Sequence, residues 1–481
     1  MQGNRMPNEL FIPDYIEVKS PGVLNPDYTI CISGAKNEVL GAMAAAVLTD
    51  QAVILDNVPH ISDVLDMGKI MQDLGIIVEY SPETRRMFLH AKEIKSNTLS
   101  DEAYKFRASY YLWGAILARF AITKEFDSLN IKIPGGCSFG GKRPIDYHTE
   151  LLQNIFDAEV SEKDDKIEIK LPKVRAAHDD NPIYSTVQVS HGATFHWMLS
   201  AATSDRPKFI YNASLEPEVG HLLGILNGMG ARLRGTNHTA ISSFGHGELL
   251  RGGTYSILPD RLETASYALL ALALRDEITI EGVDSESCMP WMNSVKEVAG
   301  FKRIQTLGKD FVTGTEKIRF SFRDLELPAR TFQMSPFPGK ETDLQQIWAP
   351  VLASARSGAT SILIDPIWSN RFGHLAEMEK FGLKSEHRQI DIKNSVAPKA
   401  LWVSIHSSHL HSADVCGMDL RGTFGLIICA CMAKGGASQI EKPGFALRGY
   451  PDLVKNLRRI GVGITESESG KILPTLPSLQ R

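Results

Sequence analysis

Residues 133–148 read Ile-Pro-Gly-Gly-Cys-Ser-Phe-Gly-Gly-Lys-Arg-Pro-Ile-Asp-Tyr-His. They place a lone cysteine in a glycine-rich loop, two cations within six residues of it, and a Pro-x-Asp-x-His run behind it. Glycines on both sides of Cys137 let the backbone approach an anionic ligand closely, and Lys142 with Arg143 favours a thiolate over a thiol. A loop of this kind can do chemistry on a phosphorylated substrate, with the residues up to His148 offering polar groups to a planar ring. The competing reading is a surface loop with an incidental cysteine.

Residues this far apart need a scaffold, and the chain has a rhythm that supplies one. A short β-branched strand, a loop, an amphipathic helix and a turn into another short strand recur six times, starting at Val53, Leu129, Lys208, Ile278, Ser361 and Ser438. The turns fall at Gly75, Asp157, Gly230, Gly300, Gly382 and Gly461, about 70 to 82 residues apart. That period is too long for a solenoid, so each copy reads as a small subdomain. A second apolar helix precedes several strands, at Leu40–Leu48, Tyr110–Phe120, Thr194–Ala202 and Thr264–Leu274. Six units divide into three and three, with a boundary near Arg251–Pro259. Strand-helix-strand rhythms occur in any α/β protein; here, however, the strand-to-helix loops carry Cys137, Lys142 and Arg143 in copy two, Asn370 and Arg371 in copy five, and Arg448 in copy six.

A chain of 481 residues exceeds one core of usual size, which also argues for two domains. Apolar content of 43% and charged content of 22% are those of a globular protein. The longest apolar runs are far short of the roughly 20 residues a membrane helix needs. The first dozen residues fit neither a signal nor a transit peptide, so the expected location is the cytoplasm, with no membrane partner. Six cysteines lack CxxC pairing or finger-spaced histidines, so neither a metal site nor a disulfide framework is expected. A net charge of −4 and a pI near 6.4 argue against a nucleic-acid surface while leaving room for a local basic cleft.

With these features in view, the chain resembles the enolpyruvyl transferase family, and its UDP-N-acetylglucosamine branch more than its shikimate-pathway branch. The resemblance spans nearly the whole chain. It rests on Ser33-Gly34-Ala35-Lys36-Asn37, Phe106-Arg107-Ala108-Ser109, Pro134-Gly135-Gly136-Cys137, Arg143-Pro144-x-Asp146-x-His148, Ser190-x-Gly192-Ala193-Thr194, Glu216-Pro217-Glu218, Leu258-Pro259-Asp260-Arg261-x-Glu263-Thr264, Thr342-Asp343, Asn370-Arg371-Phe372 and Asp419-Leu420-Arg421. It implies a two-domain inside-out α/β barrel of six βαβαββ-type repeats, helices inside and sheets outside. One domain would be 37–256 with the cysteine loop, the other 1–36 plus 257–481.

The implied reaction moves the enolpyruvyl (1-carboxyvinyl) group of phosphoenolpyruvate to a hydroxyl of a uridine nucleotide and releases phosphate, with no metal or redox cofactor. The trianionic donor requires fixed cations. Family positions are filled by Lys36, Arg107, Arg143, Arg371, Arg421 and Arg448, with Arg371, Arg421 and Arg448 at the carboxylate end and Lys36 and Arg143 at the phosphate. Asp343 is the implied base for the acceptor hydroxyl, and Cys137 the acid toward the donor, beside Lys36. Asn37, Arg143, Pro144, Ile145, Asp146, Tyr147, Ser190, His191, Gly192 and Asp343 are the implied nucleotide contacts. Taken singly, Lys36 also fits a surface lysine, Asp343 a helix N-cap and Arg421 a helix-face charge.

The chain departs from its family in three places. Gln188-Val189-Ser190-His191 stands where Lys-Val-Ser-Val is usual, so a cation is lost and a titratable ring gained. The cysteine loop is one residue longer, and polar segments are added around 161–183 and 383–400, where longer surface loops are expected. UMP is therefore a second acceptor to weigh beside UDP-N-acetylglucosamine, which would exchange a role in peptidoglycan synthesis for one in nucleoside antibiotic synthesis. Two other classes are weaker: Gly136-x4-Gly141-Lys142 nearly makes a P-loop but fails at Arg143 and Pro144, and a nucleotide-binding non-enzyme would have little reason to keep Lys36, Cys137, Asp343 and Arg448.

Overall fold

The computed structural model describes residues 9–101, 103, 107–132, 146–164, 166–173, 182–235, 238–367, 371–391 and 399–479. Contacts divide the chain into two compact units, one built on Gly34–Leu258 and the other on Glu9–Ser33 with Pro259–Leu473. The sequence reading put the crossings near 36 and 256; in the contact division they fall after Ser33 and after Leu258. The end of the chain packs on the first unit, where Leu476 lies against Gly68 and Pro477 accepts from the Tyr80 N–H.

Among the described residues each unit holds three sheets of one plan, and the second unit adds a two-stranded pair, Leu10–Pro13 with Gly470–Leu473. A central strand pairs in parallel with one neighbour and antiparallel with a second, which pairs antiparallel with a third. In the first unit the central strands are Ala52–Asp56, Ser128–Lys132 and Lys208–Tyr211. In the second they are Glu277–Val283, Thr360–Asp365 and Ser438–Glu441. Gly253–Ser256, at the end of the first unit, returns to pair in parallel with Ala52–Asp56. The N-terminal strands complete sheets of the second unit: Thr29–Cys31 pairs in parallel in the fourth sheet, and Tyr15–Lys19 enters the sixth antiparallel to both of its neighbours. In the second repeat the parallel partner shrinks to one bridge, Thr98 to Asn130.

Three helices in each unit are buried almost all round: Lys36–Ala45, Tyr110–Thr123 and His191–Ala201, and Arg261–Leu274, Gln345–Ala353 and Leu420–Met432. Their sequences are apolar on every face, so they occupy the centre while the sheets take the outside. Gly425 shows how closely they approach, since a Cβ there would lie 2.7 Å from the carbonyl oxygen of Gln346. The amphipathic helices lie further out, at Ser62–Asp73, Asp146–Phe156, Pro217–Gly228, Ser285–Ala299, His374–Lys380 and Leu453–Arg459. All six expected turn residues have positive φ, from 55° at Asp157 to 106° at Gly230, the conformation that reverses the chain after a helix.

Two local expectations need correction. Gly300 leads into a 3₁₀ turn, Phe301–Arg303, before strand Ile304–Lys309, and Phe301 is 78% exposed and so forms no part of a buried strand. The added polar segments contribute paired strands as well as loops: Glu159–Lys163 pairs with Lys166–Lys170, and Lys384–Asp391 with Lys399–His406. Alternating polar residues suit strands wet on one face, a pattern easily taken for a loop. Among the described cysteines, burial pushes the Cys431 thiol up to about 12 and raises those of Cys288 and Cys429 further.

Candidate active site

The second unit concentrates charge where its inner helices begin. Asp260 caps Arg261–Leu274 by accepting from the N–H groups of Leu262 and Glu263 at 2.8 and 2.9 Å. Asp419 caps Leu420–Met432 by accepting from Arg421 and Gly422 at 3.1 and 2.9 Å. Helix Gln345–Ala353 starts differently, because Thr342–Leu344 forms a 3₁₀ turn and its N-cap residue is Leu344 with no side-chain cap. Asp343 is thus no cap: its Oδ1 lies 2.6 Å from Arg371 Nη1.

Three guanidinium groups surround this turn. Partial burial opposes ionisation of Asp343, but Arg371, Arg421 and Arg261 together hold its carboxyl well below the usual carboxylate range. Arg261 is ion-paired with Glu341. Arg421, 5% exposed, lies over the Tyr450 ring at 4.9 Å, and the Tyr450 hydroxyl is 2.7 Å from Ser266 Oγ. Burial disfavours charge on Arg371 and Arg421, yet neighbouring anions and the Tyr450 hydroxyl keep both protonated. Arg371 Nε and Arg421 Nη1 are buried with no hydrogen-bond partner among the described residues. Donors left idle in this way can accept the oxygens of an anion. Arg448 closes the short helix Gly444–Leu447, half-buried, two residues before Tyr450.

Sequence reasoning passed over several supports of this cluster. Thr342 donates to Asp365 Oδ2 at 2.6 Å, and Gln346 Nε2 lies 2.9 Å from both oxygens of Asp419. His374 is buried beside Asp419 and Arg371, and burial lowers its ring to about 4. Asp365 ends strand Thr360–Asp365, six residues before Arg371 in the sequence, and that placement was the available signal.

In the first unit Lys36 opens helix Lys36–Ala45, 18% exposed, with its Nζ 2.8 Å from Asp63 Oδ2. Gly34 is required there, because a Cβ would lie 1.9 Å from the Asn57 carbonyl oxygen. Asn37 follows in the first turn, half-buried. Arg107 lies in the 3₁₀ turn Arg107–Ser109, and Asp146 opens helix Asp146–Phe156. Cys137, Lys142, Arg143, Pro144, Ile145 and Asn370 lie outside the described residues.

Ser190 caps helix His191–Ala201 by accepting from the Ala193 N–H at 3.2 Å. The His191 ring packs tilted against Phe195, ring centroids 4.2 Å apart, with Nε2 3.6 Å from Glu216 Oε2. Gly192 lies beneath the Tyr110 hydroxyl, and Tyr147 offers its carbonyl to the Tyr184 hydroxyl at 2.7 Å. His148 departs from expectation. It is 5% exposed, stacked on Tyr110 at 3.8 Å, with its Nδ1 2.9 Å from that of His196, so it packs in the core.

Residues 26–470 match the family model described as EPSP synthase (3-phosphoshikimate 1-carboxyvinyltransferase). UDP-N-acetylglucosamine 1-carboxyvinyltransferase 2 of Streptococcus pyogenes serotype M18 is 32% identical over 443 residues, covering 90% of this chain and 95% of that protein. UDP-N-acetylglucosamine 1-carboxyvinyltransferase 1 of Staphylococcus haemolyticus is 32% identical over 459 residues, covering 95% and 99%. The fold is similar to that of the enolpyruvyl transferase NikO from Streptomyces tendae, with a TM-score of 0.77 at 18% identity over 97% of this chain and 100% of that one. EPSP synthase from Acinetobacter baumannii aligns with a TM-score of 0.63 at 12% identity over 94% of this chain. With repeated sheets outside buried helices, and a sequence match over nearly its full length, the chain belongs to the EPSP synthase family of enolpyruvyl (carboxyvinyl) transferases.

Proposed function

We propose that this protein transfers the enolpyruvyl group of phosphoenolpyruvate to the 3-hydroxyl of UDP-N-acetylglucosamine, releasing phosphate. The observation that carries the reading is the 32% identity over 90% or more of the chain to two proteins named as UDP-N-acetylglucosamine 1-carboxyvinyltransferases. The charge cluster of the second unit supports it chemically: Arg371 and Arg421 keep buried donors idle beside Asp343, a combination suited to a carboxylate ligand and a proton acceptor.

In this reading Arg371, Arg421 and Arg448 hold the donor carboxylate, Lys36 and Arg143 its phosphate, and Arg107 adds a further cation to the donor. Asp343 takes the acceptor hydroxyl proton as the new C–O bond forms at C2. Cys137 protonates C3, which makes C2 electrophilic, and loss of phosphate from C2 together with a proton from C3 then restores the double bond. Asn37, the segment Arg143–Tyr147 and Ser190–Gly192 serve the nucleotide. The protein works on small molecules in the cytoplasm; among the described residues no helix is long and apolar enough to cross a membrane.

UMP remains a second acceptor because of one specific feature. His191 and Gln188 replace a residue pattern that would bring a lysine toward a diphosphate, and His191 faces Glu216. Incubation with phosphoenolpyruvate and each nucleotide in turn, following phosphate release, separates the two. Turnover with UDP-N-acetylglucosamine alone supports the first reading, and turnover with UMP alone rejects it.

A further inference from the structure

The candidate base presents a difficulty. A carboxylate that takes a proton from a hydroxyl works best when its basicity is not suppressed, yet Asp343 is in contact with a guanidinium that stabilises its ionised form. The arrangement of that guanidinium resolves the problem. Arg371 engages Asp343 through Nη1 at 2.6 Å, and the same Nη1 is 3.5 Å from Thr342 Oγ1. Thr342 spends its hydroxyl proton on Asp365 Oδ2 at 2.6 Å, which leaves an oxygen lone pair for Arg371. Asp365 is fully buried and also accepts from the Ile367 N–H at 2.9 Å, so this seat is rigid. Arg371 Nε, in contrast, has no partner among the described residues. The guanidinium therefore binds its carboxylate with one nitrogen when its planar fork could bind two oxygens at once.

We propose that Arg371 is a removable cap on Asp343, which the carboxylate or phosphate of the donor draws away so that the base is exposed only when the donor is bound. This inference rests on the functional reading above and adds a regulatory step to it. The groups facing Asp343 are Arg371, Arg421 and Arg261, the last already engaged by Glu341; those facing Arg371 are Asp343, Asp365, Asp419 and the His374 ring, which burial keeps neutral above about pH 4. An arriving anion offers two oxygens to a fork that Asp343 occupies with one. Once Arg371 turns to it, Asp343 loses its nearest cation and becomes more basic. The acceptor hydroxyl proton then moves to an Asp343 oxygen as the acceptor oxygen bonds to C2. Without donor, Asp343 remains masked and the acceptor is not deprotonated.

The test follows the Asp343 carboxyl carbon by ¹³C NMR in protein carrying labelled aspartate, assigned by its absence in Asp343→Asn. Phosphoenolpyruvate is added alone, without acceptor, and its own ³¹P signal reports binding. Without donor, Asp343 should show no titration between pH 8 and 4. With saturating donor its midpoint should move up into that window, so that a titration step absent from the free protein appears between pH 8 and 4. In Arg371→Gln the midpoint should already be high in the free protein, and donor should add little. Bound donor with an unmoved Asp343 overturns the cap while leaving the functional reading intact. So does a donor-induced shift in Arg371→Gln as large as in the unaltered protein, because repulsion by the ligand alone would then account for it. An unshifted ³¹P signal would remove the functional reading, and the cap with it. The unaltered protein decides the main question even if Arg371→Gln fails to fold.

Discussion

Gln346 places its amide nitrogen 2.9 Å from each oxygen of Asp419, the residue that also caps helix Leu420–Met432. One buried carboxylate thus links two inner helices and starts the helix that carries Arg421. Asp419→Ala should cost about 1 kcal/mol or more for the cap alone. Asp419→Asn keeps a capping oxygen and should recover most of that in a denaturant titration. If Asn destabilises as much as Ala, the capping role is wrong.

Asp343→Ala should lower kcat by roughly 10²- to 10⁴-fold, the range for loss of a general base, with thermal stability nearly unchanged. The side chain is 39% exposed, so its ion pair with Arg371 adds little to the fold. Full turnover in this variant would eliminate the proposed base.

Cys137→Ser should likewise reduce turnover sharply while the protein stays folded. Cys137→Asp should remain active and resist inactivation by an epoxide, because an acid is retained while the nucleophilic thiol is gone. Epoxide sensitivity in that variant, measured by time-dependent loss of activity, would show that another group is alkylated.

Two buried histidines make the fold acid-sensitive. Burial lowers His196 to about 3 and His374 to about 4, against about 6.5 in an unfolded chain. Below 6.5 the unfolded chain binds protons that the folded rings refuse, so stability is lost as pH falls from about 6.5 toward 4. Each ring should contribute a slope of about 1.4 kcal/mol per pH unit in that window. Urea midpoints at pH 7, 6 and 5 should show a shallower slope in His374→Leu. An unchanged slope would mean the ring is protonated in the folded state.

Arg119 holds the first unit together from inside. It is 1% exposed, donates to the carbonyls of Val47, Thr49, Ala91 and Lys92, and pairs with Glu125. Arg119→Met should cost about 3 kcal/mol or more, since it strands a carboxylate and several buried carbonyls. Arg119→Lys should recover little, because an ammonium cannot spread over so many acceptors. Denaturant midpoints of both variants measure this.

Much of the architecture was readable before any coordinates. Turn residues such as Gly75 and Gly382 mark helix ends because a left-handed residue is needed there, and the apolar stretches around Tyr110 and Thr264 could only be buried helices. The return of Tyr15–Lys19 to the sixth sheet and of Gly253–Ser256 to the first was not readable, because strand partners hundreds of residues apart leave no local trace. His148 shows the same limit at a single residue. Its spacing from Pro144 suits a ligand contact, but its burial against Tyr110 and His196 depends on helices elsewhere in the chain.

By itself the sequence determined which residue types are present for the chemistry, their repeat-by-repeat delivery on loops, and the family they belong to, because periodicity and motif are properties of local order along the chain. Only the tertiary structure decided their electrostatic state. Asp343 is held ionised by Arg371, Arg421 and Arg261, and the Arg371 seat is built by Thr342 and Asp365. A charge responds to everything within a few ångströms, and those neighbours come from segments that the chain order keeps apart.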